Sequence, residues 1–244
     1  MIAIKTTNLT KKYKDITAVD NLNLEINEGE LFALLGVNGA GKTTTIKMLA
    51  TLTKPTSGDA FIYDYSISNN SDKIKEIIDI SMQETAIARK LTVEENIDFY
   101  ARLSGASKEE VNQIKQDIYS SFELDKVSKK KACQLSGGWQ RKLSIALALV
   151  TKPKILFLDE PTLGLDVISR RELWKTILKL KQKMTIILTT HYMEEAEALS
   201  DRIGIMKDGK ILFVGNKEQL FEKTNKNNVE DAFIDIVSGG NDND

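Results

Sequence analysis

The chain has 244 residues but one cysteine, one histidine, three prolines and no long apolar stretch. A single cysteine, Cys133, excludes an intramolecular disulfide and a cysteine-built metal site. The longest apolar runs, 31–35 and 145–150, fall far short of the ~18–20 residues a membrane-spanning helix needs. The N-terminus, Met1-Ile2-Ala3-Ile4-Lys5, leads into no signal-peptide core and reads as a strand. Neither sign of charge is in excess: Lys+Arg number 34 and Asp+Glu 35. That balance leaves no basic footprint for nucleic acid, and Lys129-Lys130-Lys131 reads as a solvated loop. No internal repeat or low-complexity linker is present, which excludes two tandem copies of one unit. The expectation is a cytoplasmic chain that acts at a membrane only through a partner.

Apolar content of 41% and charged content of 28% fit an ordinary globular protein, and the length allows one substantial core. Leu22, Leu24 and Ile26 alternate with polar residues, the period of a half-buried strand. Gly29 turns the chain into Leu31-Phe32-Ala33-Leu34-Leu35, an apolar run suited to a strand covered on both faces. From Thr43, the spacing of Ile46, Leu49 and Ala50 predicts a helix. Residues 86–150 read as mostly helical; Leu143, Ala146, Leu147 and Val150 share one helix face that stops before Pro153. A second buried strand follows at Ile155-Leu156-Phe157-Leu158, then a helix through Leu173, Ile177 and Leu180, and a strand at 185–188. Such alternation implies an α/β chain with a mostly parallel sheet and helices on both faces. Beyond Asn216 the pattern is shorter and more polar, and residues 239–244 are expected to fray.

Gly36-Val37-Asn38-Gly39-Ala40-Gly41-Lys42-Thr43 sits between a buried strand and a helix, the context a phosphate-binding loop requires. Glycines let successive backbone N–H groups point inward at phosphate oxygens, and the helix adds its positive end. Lys42 is placed to neutralise β and γ phosphates, and Thr43 to hold Mg²⁺. Asp159 and Glu160 follow a buried strand, where ligands of open α/β sheets gather. Asp159 would face the metal, and Glu160 would polarise an attacking water. In Leu135-Ser136-Gly137-Gly138-Trp139-Gln140, Ser-Gly-Gly opens a helix beginning near Arg141 and presents a hydroxyl and bare N–H groups to an anion. An ordinary helix cap would account for Ser136 but not for the two glycines.

Together these segments resemble the ABC-transporter ATPase family over residues 1 to about 215. The segment at 135–140 is similar to the family's signature, which usually has glutamine where this chain has Trp139. The resemblance implies a P-loop NTPase core, an N-terminal antiparallel β subdomain and an inserted α-helical subdomain at about 86–150. It places the cassette at 1–215 and a short tail at 216–244. It further implies that ATP and Mg²⁺ are bound, with Asn38, Gly39, Ala40 and Thr44 joining the nucleotide set. Gln83 resembles the glutamine that reaches the metal and the water and joins the core to the helical lobe. Leu163-Gly164-Leu165-Asp166 looks like the D-loop, and His191 like the switch histidine at the γ-phosphate. Tyr13 is similar to the aromatic that stacks on adenine; a packing tyrosine is the other reading. A lone histidine is usually structural, but this one directly follows the strand near 185–188.

The family solution is a head-to-tail dimer of two such cassettes, identical or homologous. Lys42, Thr43, Asp159, Glu160 and His191 of one face Ser136, Gly137 and Gly138 of the other. The resemblance also implies an integral membrane permease as partner, and a chain peripheral to the inner face of the cell membrane. Two classes stand against each other: a transporter's energy-supplying subunit, and a soluble cassette ATPase of translation, DNA maintenance or cofactor assembly. The single cassette and the absence of a coiled-coil insertion or cysteine cluster favour transport. The segments 189–199 and 164–174 and Val229-Glu230-Asp231-Ala232-Phe233 resemble exporters of the ABC-2 and drug-efflux type; importers often carry aspartate directly after the histidine, where this chain has Tyr192. The cargo, be it drug, antibiotic, polysaccharide, lipid or sodium, has no signature here.

Overall fold

The computed structural model describes residues 1–239; the stretch 240–244 of the segment expected to fray lies outside them. In chain order the elements are β1 (Ile2–Tyr13), β2 (Ile16–Asn27), β3 (Leu31–Leu35), α1 (Lys42–Leu49), β4 (Ser57–Ile62), β5 (Tyr65–Ser66), α2 (Ser71–Lys75) and β6 (Ile78–Ser81). Then come α3 (Val93–Leu103), α4 (Lys108–Phe122), two short 3₁₀ turns, α5 (Gly137–Ala148), β7 (Ile155–Asp159), α6 (Val167–Lys181) and β8 (Thr185–Thr190). The chain closes with α7 (Met193–Leu199), β9 (Arg202–Lys207), β10 (Lys210–Gly215), α8 (Lys217–Thr224) and α9 (Val229–Ser238).

Two sheets result. An antiparallel one runs β2-β1-β4-β5, and a six-stranded one runs β10-β9-β3-β8-β7-β6. In the larger sheet β6, β7, β8, β3 and β9 are parallel neighbours, and only β10 pairs antiparallel, at the edge. β3 shows why its sequence is apolar throughout. Leu31, Ala33 and Leu35 face the core shared with α3–α6, while Phe32 and Leu34 face the core shared with α1 and the antiparallel sheet. β7 divides in the same way, Leu156 and Leu158 on one side, Ile155 and Phe157 on the other.

Three local readings change. The strand expected at 185–188 continues to Thr190, because Thr189 and Thr190 stay in register with Leu34 and Leu35. The helix expected near Arg141 starts at Gly137 with Ser136 as its N-cap. That helix, α5, is also buried all round over 141–148 instead of along one stripe. It packs against β6, α3, α4 and α6 together, so no face is left for water and one-sided periodicity understates its burial. Within 86–150, α3 and α4 carry capping boxes, Thr92 with Glu95 and Ser107 with Glu110, which satisfy the first free N–H groups of each helix. Residues 217–238 form α8 and α9, and Leu220, Val229, Ala232 and Phe233 enter the same core as α5.

Candidate nucleotide site

The carboxyl ends of β3, β7 and β8 converge on one cavity of about 380 Å³, lined by Ala18, residues 38–44, Gln83, Glu160, Leu163 and His191. Its floor is the loop between β3 and α1. A Cβ on Gly36 would lie 2.4 Å from the Met206 carbonyl oxygen, and one on Gly41 2.3 Å from that of Ala18. Gly41 also holds φ +105°, in the left-handed region, so only glycine closes this cradle without displacing backbone. Gly41 is the N-cap of α1 and brings no capping side chain, which leaves the helix start as an anion site.

The side chains around the loop are tightly organised. Lys42 is buried; its ammonium donates to the carbonyls of Gly36 (2.7 Å) and Val37 (3.1 Å) and stands 3.4 Å from Glu160 Oε1. Thr43 Oγ1 donates to both oxygens of Asp159, at 2.9 and 3.1 Å. Thr189 Oγ1 donates to Asp159 Oδ1 at 2.6 Å and accepts from the Glu160 N–H at 3.1 Å. His191 Nδ1 lies 2.6 Å from Glu160 Oε2. Glu160 sits at φ +48°, an uncommon conformation for a side chain-bearing residue. Such strain persists only where neighbours over-determine it. Here the Thr189 carbonyl and hydroxyl both hold its N–H.

The structure thus gathers Lys42, Thr43, Thr44, Gln83, Glu160 and His191 on one cavity, with Asp159 directly behind Thr43. Tyr13 does not line it. Its ring stands at the end of β1, 46% exposed, with the Lys11 ammonium 5.0 Å from its centroid. Ser136, Gly137 and Gly138 do not line it either. The Ser136 hydroxyl caps no N–H group of α5. A Cβ on Gly137 would meet nothing closer than Leu165 Cδ2 at 3.9 Å, whereas one on Gly138 would lie 2.8 Å from Ser169 Oγ. Gly138 is therefore closely packed against Ser169, and Gly137 leaves a more open approach to the helix start. Trp139 is half-buried against the core, and the Lys142 ammonium sits 4.7 Å from its ring. Asp166 caps α6 through the N–H groups of Ile168 and Ser169, both at 2.9 Å. Those bonds, led by the one from Ser169, hold its carboxyl below the usual range.

Three residues near the site carry no mark in the sequence. Thr189 looks like any strand threonine. Arg141 is buried in α5, where a charged residue reads as an exposed face. Burial draws its guanidinium down to about 10, opposed by the nearby Asp159 charge, so it remains cationic at neutral pH. Glu195 is fully buried and accepts from Trp174 Nε1 at 3.0 Å, while its Oε2 has no hydrogen-bond partner among the described residues. Desolvation raises its carboxyl above the ordinary value.

The geometry meets its counterparts among known proteins. A family model described as "ABC transporter" matches residues 19–163. The human phospholipid-transporting ATPase ABCA3 is 42% identical over 224 residues, which is 90% of this chain and 13% of that protein. Relatives of this kind are much longer, so the chain spans a small part of their length. Among solved structures, cbiO1 from Clostridium perfringens, part of an ABC transporter complex, is 28% identical with a TM-score of 0.84, covering 91% of each chain. A dimeric ATP-binding cassette in a post-hydrolysis state, bound to ADP and Pi, is 29% identical with a TM-score of 0.78, covering 87% of this chain and 98% of the other.

Proposed function

The chain belongs to the ABC transporter family and is one of its ATPase cassettes, and we propose that it powers export through a separate membrane permease. The carrying observation is the junction of Lys42, Thr43, Asp159, Glu160 and His191 around the glycine cradle between β3 and α1. Among the described residues no group of three or more His, Cys, Asp or Glu is arranged to hold a metal unaided. Thr43, Asp159 and Gln83 would instead hold Mg²⁺ together with nucleotide oxygens, where it neutralises phosphate charge. The touching oxygens of Thr43 and Asp159 are the hard donors such an ion requires.

In this reading the Lys42 ammonium leaves its carbonyl contacts for the β and γ phosphates. Glu160 orients water and accepts its proton, with His191 fixing the carboxylate and the γ-phosphate side. The uncapped Ser136 and the open Gly137 of a second cassette complete the site, so ATP joins two protomers and its hydrolysis releases them. The dimeric neighbour bound to ADP and Pi supports this assembly.

No described helix is long and apolar enough to cross a membrane, so translocation would fall to the permease, with this chain on its inner face. Lipid-class cargo fits the name of the human relative. Glu160→Gln tests the chemistry: phosphate release should fall by about 10²–10⁴-fold, the usual contribution of general-base catalysis, with ATP binding kept. Near wild-type turnover would remove Glu160 from that role.

A further inference from the structure

Arg141 is 4% exposed, a cation at the centre of the molecule. Among the described residues it enters no salt bridge. All of its bonds go to main-chain carbonyls. Nε donates to Pro161 O at 2.8 Å and Nη2 to Asp159 O at 2.9 Å. Nη1 donates to Met82 O at 2.5 Å and Gln83 O at 3.4 Å.

These acceptors are informative. Asp159 and Pro161 flank Glu160 on both sides. Glu160 is held at positive φ, as several other non-glycine residues are, but alone among the residues lining the cavity that carry a side chain. Met82 and Gln83 begin the segment that brings Gln83 to the cavity. Arg141 itself belongs to α5, the helix that Ser136 opens. One rigid fork therefore ties the signature helix to two separate turns that carry site residues. Burying a guanidinium is costly, and an apolar side chain of similar volume would pack without that cost. What an apolar residue lacks is the planar array of donors that fixes two backbones at a set spacing.

We propose that Arg141 is a positioning residue for ATP hydrolysis, holding the Glu160 turn and the Gln83 segment in register with each other and with the Ser136 helix. It touches no reacting atom. Its effect reaches the chemistry through the main chain on either side of Glu160, whose strained backbone needs restraint from two directions. Thr189 supplies one, through the Glu160 N–H. Arg141 supplies the other.

The inference rests on the ATPase reading, and Glu160→Gln tests that reading separately. Arg141→Lys keeps the charge but loses the fork. In folded Arg141→Lys, kcat should fall at least about tenfold, because a displacement of ~1 Å at reacting groups can cost ~10²-fold. KM for ATP should stay within about twofold, since the interaction lost bears on the transition state and not on nucleotide binding. Where Arg141→Lys yields no folded protein, Arg141→Gln takes its place, with the same split expected and a larger fall in kcat. A folded variant of either kind with wild-type kcat would overturn the proposal. So would a loss confined to KM or to thermal stability. Full activity in Arg141→Lys beside an inactive Glu160→Gln would refute the positioning role and leave the ATPase reading standing.

Discussion

The two ends of this molecule proposed to face phosphate are prepared in opposite ways. At the β3–α1 loop, Lys42, Thr43, Asp159, Glu160 and His191 are already hydrogen-bonded to one another or to nearby carbonyls. At the start of α5 the Ser136 hydroxyl caps nothing, and the space beside Gly137 is open. The first end is held in shape by its own chain, while the second leaves its donors without a side-chain partner in α5, free for the second cassette proposed above. Helix starts normally satisfy their free N–H groups locally, as α3 and α4 do with their capping boxes. α1, α2 and α7 also start without a side-chain cap; at α5 the free Ser136 hydroxyl and bare N–H groups are what the nucleotide of a second cassette would meet in the proposed assembly.

Several substitutions would break or sharpen this contrast. Ser136→Arg should abolish the second end alone: hydrolysis falls by about 10²-fold or more, as for loss of an oxyanion donor. ATP affinity of the isolated monomer, read by fluorescent-nucleotide titration, should remain. Weakened binding in the monomer would mean that Ser136 serves its own chain's nucleotide.

The adjacent glycines should then separate packing from binding. A Cβ at Gly138 would press on Ser169 Oγ at 2.8 Å and Cβ at 3.0 Å, so Gly138→Ala should cost about 1–3 kcal/mol of stability, the range for overpacking. Gly137→Ala meets only Leu165 Cδ2 at an ordinary contact distance of 3.9 Å and should leave the unfolding midpoint in place while lowering ATPase. Equal losses of stability at both positions would erase the distinction.

The smallest effect is expected at Glu195, behind the first end. Its carboxyl is raised by desolvation, so the folded state keeps a proton that the unfolded chain releases above its ordinary value. Stability from this group is full below that value and declines as pH rises through the folded one. Glu195→Gln should therefore gain on wild type in denaturant titrations as pH increases. A constant difference across pH would show that Glu195 titrates alike in both states.

Much of the architecture is legible from residue order because chemistry and burial coincide there. The apolar runs of β3 and β7 announce doubly covered strands, and each ends at a site residue. The phosphate loop, Asp159, Glu160 and His191 come together as motif spacing and strand order imply. What escaped the sequence depends on three-dimensional enclosure. α5 has neighbours on every side, so its periodicity implied one buried face and left Arg141 in the light. Thr189 gains its importance only through register with Asp159 across β7 and β8. Tyr13, proposed as the adenine platform, presents a half-exposed ring at the end of β1, beyond the residues that line the cavity.

ATP is proposed to complete its site between two cassettes, identical or homologous, and a pair of this chain is the simplest case. The most direct test is the mass of Glu160→Gln in solution, by light scattering with size exclusion, with and without Mg-ATP. A monomer that becomes a dimer with ATP, and fails to do so when Ser136→Arg is added, is the predicted result. A monomer that stays monomeric with ATP bound would contradict the account.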